Sequence, residues 1–170
     1  MFFLAPWVIA LIGFVLHVFL DRSPQHRTSH RVIELALLWN LVFFGAWSIL
    51  GGLGHIGPTS GALAEQIGYT QSMFQWEVGW ADIALGVLGI GCAWKSGRGG
   101  WMTAAVVTLV IMYWGDAIGH VMELVAHDNQ APSNVWAIPS DVLQPLLAAI
   151  LLVLYRRGQP AVESVASTTA

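Results

Sequence analysis

Asp116, His120, Glu123 and His127 follow one another at spacings of four, three and four residues. On a helix turning about 100° per residue they fall within about 60° of each other and form one polar stripe. Carboxylates and imidazoles arranged this way can relay protons, hold one edge of a metal ion, or hydrogen-bond a neighbouring helix. Inside an apolar run each ionisable group costs about 2.5 to 3.5 kcal/mol to place near the middle of a bilayer. Such a stripe has to face other helices or a water-filled cavity.

A second run, Gln75, Gly79, Asp82, Gly86, Gly89 and Ala93, shares one helical face built largely from small residues. Small residues let helix backbones approach closely, which drives association in lipid. Gly115 and Gly119 flank Asp116 with a small pair of their own, so the two runs are expected to cross tightly through these faces. At a rise of 1.5 Å per residue, Asp82 and Asp116 then lie at matching depths, roughly 12 to 14 Å from one end. Glu77 and His120 lie nearer that end, with His55 at its rim. Glu77, Asp82, Asp116, His120, Glu123 and His55 are therefore the candidate ligand, proton or metal-binding residues.

Each candidate has a plainer reading. Asp116 serves equally well to bond a neighbouring helix, through a hydroxyl, an indole or Asn40. Glu77 either meets another helix or snorkels outward. Glu123, His127 and Asp141 sit close enough to a span end to be solvated. His17, His26, His30 and Glu34 belong to the opposite, cytoplasmic side. The lone Cys92 rules out an internal disulfide and a cysteine metal site, and reads as a buried inert thiol. The strong metal signature His-Glu-x-x-His is missing. Nothing in the sequence names a metal, a cofactor or a catalytic residue.

The elements that position these groups follow from composition. The 170 residues are 56% hydrophobic and only 10% charged, with a mean hydropathy of +0.64. Soluble domains carry roughly 25% charged residues, so a water-soluble body lacks enough polar surface here. A net charge of −3 without a basic stripe excludes nucleic acid as a partner. Five apolar segments approach the roughly 20 residues needed to cross a bilayer, at about 2–20, 32–53, 74–94, 101–125 and 136–155. The reading is an all-α, polytopic transmembrane bundle forming one domain over residues 1–157, multi-pass in the cell membrane. Pro139, Asp141 and Pro145 make the fifth span the weakest. The first span lacks a basic leader and a cleavage pattern, so it is read as retained.

Orientation comes from the basic residues, which favour the cytoplasm in short loops. All seven lie in three places: Arg22, Arg27 and Arg31, then Lys95 and Arg98, then Arg156 and Arg157. With five spans these places share one side, which puts the N-terminus outside and the C-terminus in the cytoplasm. Trp7, Trp47, Trp76, Trp80, Trp94 and Trp101 lie near span ends, as interfacial belts require. Trp39 and Trp114 lie deeper and read as packing residues. The loop from Gly54 to Met73 is a lid or a turn, and residues 158–170 form a tail expected to be disordered.

Two stretches, Phe74-Gln-Trp-Glu-Val-Gly-Trp-Ala-Asp-Ile-Ala-Leu-Gly-Val-Leu-Gly89 and Gly115-Asp-Ala-Ile-Gly-His120, resemble segments of an uncharacterised family of small bacterial and fungal membrane proteins. The resemblance extends to Ala131-Pro-Ser-Asn134 and the basic end of the last span, covering most of residues 40–157. It implies a polytopic membrane fold and brings no activity with it.

Three functions remain open on this reading. The polar cluster pins helix packing or binds a small ligand, amphipathic or lipid. Alternatively it forms a membrane-embedded enzyme site, by acid–base or metal-assisted chemistry, or the relay of a proton-coupled transporter. The absence of inverted repeats weighs against transport by a single copy, though a homo-oligomer would answer that objection. Topology is directly testable. Reporter fusions after Arg157 and around Gly97 should report cytoplasm, and fusions near Gly61 and Gln130 the outside. A cytoplasmic signal at Gly61 would overturn the five-span arrangement.

Overall fold

The computed structural model describes residues 4–94 and 99–158, and every element among them is helical. Helix α1 is Leu4–Leu20 and α2 is Ser29–Leu38. A single π turn, Trp39–Phe43, joins α2 to α3, Phe44–Ile56. Then come α4 (Ser60–Ile67), α5 (Phe74–Gly91), α6 (Gly99–Ala126) and α7 (Pro132–Arg157). Lys95, Arg98 and the expected tail beyond Gly158 lie outside the described residues. Three helical stretches are long and apolar enough to cross a membrane: Ser29–Ile56, Gly100–Ala126 and Pro132–Arg157. Helix α1, 17 residues, and α5, 18 residues, are the shorter pieces.

Several boundaries differ from those read in the sequence. The second rod begins at Ser29 because the Thr28 hydroxyl accepts from the Arg31 amide and caps it. The loop expected from Gly54 to Met73 contains α4, closed by Gly68 at φ 79°, a left-handed cap that glycine adopts freely. Helix α7 begins at Pro132 rather than near residue 136, with proline in its first turn where the missing N–H is harmless. Pro139 and Pro145 lie inside α7 without ending it.

The tight crossing in the bundle is antiparallel, between α3 and α5. A Cβ built on Gly45 would lie 2.9 Å from the Gly86 carbonyl oxygen. Gly52 faces Gly79, and Gly89 faces the Leu41 carbonyl, just as closely. The expected crossing of spans three and four is thus corrected: the glycine face of α5 meets Gly45 and Gly52. Gly115 and Gly119 have nothing within 4 Å of a modest Cβ. Their smallness marks no contact.

A core of Leu37, Leu41, Met102, Val106, Leu109 and Leu152 fills the space between the Ser29–Ile56 rod, α6 and α7. The α1 helix buries only Pro6 and Ala10 and is held through Trp7, which packs on Phe44, and through Trp39. The Trp39 ring covers Gly13, and its indole N–H donates to His17 Nδ1 at 3.1 Å. At the end of the bundle that carries the arginines, Arg31 bonds Asp21 at 2.8 Å and Glu34 at 2.7 Å. The Arg31 guanidinium holds the Asp21 carboxyl well below the usual carboxylate range.

The two kinds of glycine should respond oppositely to a methyl group. Gly89→Ala drives a Cβ against the Leu41 backbone, and overpacking of this sort costs about 1 to 3 kcal/mol. Gly119→Ala meets open space and gains helix propensity, so its stability should hold or rise by up to about 1 kcal/mol. Thermal unfolding of the two variants checks the sign difference.

Candidate functional site

The carboxylates gather near the α4 end of the bundle, each from a different helix. Asp82 stands on α5, Asp116 on α6 and Asp141 on α7, and all three are half-buried. They lie within electrostatic reach of one another and of the Tyr113 hydroxyl. The α3–α5 crossing fixes the first of them, because Ser48 on α3 donates to the Asp82 carbonyl at 2.9 Å. The described arginines lie away from the cluster, Arg22 and Arg27 in the α1–α2 connection, Arg31 in the first turn of α2, and Arg156 and Arg157 in the last turn of α7. No described lysine or arginine side chain shares this end of the bundle.

His120 stands one turn beyond Asp116 on α6 and is oriented by Asn134, which is fully buried near the start of α7. The Asn134 Nδ2 donates to the His120 carbonyl at 3.2 Å and the Asn129 carbonyl at 2.9 Å. Carbonyls only accept, so these two bonds place the amide nitrogen and leave Oδ1 as an acceptor. Oδ1 lies 2.7 Å from His120 Nδ1, so that ring nitrogen carries the hydrogen. The other nitrogen, Nε2, faces Asp141 Oδ2 at 3.8 Å. The bond at Nδ1 thus holds the ring with Nε2 turned toward that carboxylate. Tyr69 closes the site from the α4–α5 connection, its hydroxyl 3.4 Å from His120 Nδ1. Burial and the nearby charges of Glu123 and Asp116 push the Tyr69 hydroxyl above its ordinary pKa.

Asn129 ties the end of α4 to this arrangement. Its Nδ2 donates to the Ile67 carbonyl at 3.0 Å, and its Oδ1 accepts from the Ala131 amide at 3.2 Å. The Gly68 turn leaves no room for a side chain against that amide. The C-terminus of α4, the 127–131 turn and the start of α7 thus form one bonded cap over His120.

The candidates read from the sequence separate into two groups. Asp82, Asp116 and His120 come together. Glu77 does not join them: it is exposed, roughly opposite the Gly79 face that meets α3. The convergence expected of Glu77 with Asp116 and His120 is corrected accordingly. Glu123 lies at the outlet, where it bonds His127 at 3.0 Å in a partly exposed pair. His55 sits at the α3–α5 contact beside Gly79, with its Nδ1 buried and without a protein partner. Asp141, read as a solvated group, belongs to the centre; Tyr113 enters the sequence reading only as a hydroxyl that Asp116 could bond, and Asn134 and Tyr69 have no site role there. For Asn134 and Asp141 the signal was present in α7. Asn134, Ala137, Asp141, Gln144, Ala148, Leu152 and Tyr155 recur every three or four residues, the inward stripe of a continuous helix.

Among the described residues no three His, Cys, Asp or Glu side chains are grouped so as to hold a metal ion. The class defined by this arrangement is an all-helical bundle with spans long and apolar enough for a membrane and a capped carboxylate–imidazole cluster near one end. The chain belongs to a family of unknown function, DUF6790, whose model matches residues 1–161. Comparisons with characterised proteins and with solved structures give no match.

Asn134 should be the structural keystone of the cap. Asn134→Ala leaves the His120 ring and two buried carbonyls without their partner, at a cost of about 2 kcal/mol or more. Thermal unfolding measures that cost, and a variant as stable as the parent would remove Asn134 from this role.

Proposed function

We propose that the chain is a five-span protein of the cell membrane, N-terminus outside, that binds protons and a small hydrogen-bonding or cationic ligand at its outer face. The membrane reading draws on the three long apolar helices and on apolar side chains turned outward along the bundle. Phe19 is 82% exposed, Ile111 68% and Val125 78%, which is tolerable only against lipid. Segregation of the basic residues supports the five-span count and the orientation.

The observation that carries the functional reading is the meeting of Asp82, Asp116 and Asp141 from three helices, with His120 beside them and no described arginine or lysine near. Charges gathered in a low-dielectric interior need compensation, which protons or a bound cation supply. A purely structural cluster is satisfied more cheaply by neutral amides and hydroxyls. Behind the cluster the apolar core of Leu37, Leu41, Met102 and Leu152 fills the bundle toward the arginine end. That core favours a site reached from one side over a path through the membrane.

Proton counting tests the reading. The full chain in nanodiscs, titrated in lightly buffered solution from alkaline to acid pH, should take up about one proton fewer as Asp116→Asn than as wild type. Asp141→Asn should do the same, with both variants keeping wild-type helicity and yield. Unchanged proton uptake with lost folding would show the carboxylates to be packing groups and overturn the proposal.

A further inference from the structure

The π turn holds a second polar feature, deeper than the carboxylates. Asn40 is 4% exposed, and neither its Oδ1 nor its Nδ2 meets a hydrogen-bond partner in the protein. Buried amides are almost always satisfied, and an orphaned one points to a molecule bound beside it. Asn40 lines a partly open space of about 10 Å³ with Ser48, Tyr113 and Gln144, between Phe44 and Leu109. A cavity needs about 10 to 15 Å³ of this kind and two or more polar partners to hold one water. Both conditions are met, with four polar side chains on its walls.

We propose that this cavity is a binding site for a single water molecule that hydrogen-bonds Asn40 and links the π turn to Tyr113. One water can accept from Nδ2 of Asn40 and donate to its neighbours' oxygens, which a direct contact across the cavity does not achieve. The π turn is what makes the space. Its wider ring displaces the backbone at Asn40, and such turns recur where a site interrupts a helix. Ser48 and Tyr113 also lie within interaction range of Asp82. The water therefore extends the polar cluster inward, to the point where Leu41 and the apolar core close it off. The water site stands on its own geometry. Only its continuity with a proton-binding cluster rests on the function proposed above.

Radiolytic hydroxyl labelling in ¹⁸O-water tests the site, because buried side chains are labelled only where a bound water supplies the radical. In the full chain in nanodiscs, Phe44, Leu109 and Tyr113 should be labelled despite their place inside the bundle. Asn40→Leu should lower that label by about fivefold or more by filling the cavity, with exposed Phe19 labelled as before. Gln144→Leu, on the opposite wall, should give the same loss if Asn40→Leu does not fold. Absence of label at Phe44 and Leu109 in the wild type, or label that persists in a folded variant, would overturn the proposal. Loss of the label alongside wild-type proton uptake would leave the water in place and break only its link to the cluster.

Discussion

Backbone contact between α3 and α5 is the constraint on which the rest depends. Two helices meeting through Gly45, Gly52, Gly79, Gly86 and Gly89 come closer than any pair with side chains between them. In lipid no hydrophobic force distinguishes a helix partner from acyl chains, so close van der Waals contact of this kind decides which helices pair. The contact brings the Ser48 hydroxyl onto the Asp82 carbonyl and sets the rotation of α5. Asp82 is thereby turned toward α6 and α7, while Glu77 is turned away. A carboxylate half a turn off would have faced lipid.

Buried amides complete what the glycines begin. Asn134 spends its two N–H groups on backbone carbonyls and its oxygen on His120, so one side chain satisfies three polar groups at the helix ends. Asn129 does the corresponding work for the end of α4. These neutral groups can be fully paired and sealed. The three aspartates, when ionised, only repel one another.

The same contrast explains the depth of the polar region. Polar side chains continue from Tyr69 and His120 through the aspartates to Tyr113, Ser48 and Asn40. Beyond Asn40 the walls become leucine, methionine and alanine, and aromatic Tyr155 stacks on His30 near the arginines. The acidic side chains are thereby confined to one side of a packed apolar floor.

By itself the sequence determined the helical class, the apolar lengths, the sorting of basic residues and the polar stripe of α6. All of these depend on local composition or on the period of one helix, which a chain carries without reference to its partners. The α7 stripe was equally periodic, but Pro139 and Pro145 suggested an interrupted span and hid Asn134 and Asp141. Only the tertiary structure decided which small residues touch. Gly119 and Gly86 look alike in sequence, and smallness permits close approach without saying what approaches. It also decided the rotation of each helix, and with it the exclusion of Glu77, the inclusion of Asp141 and the burial of Asn40. Those outcomes depend on packing between helices far apart in the chain, where no single helical period holds the information.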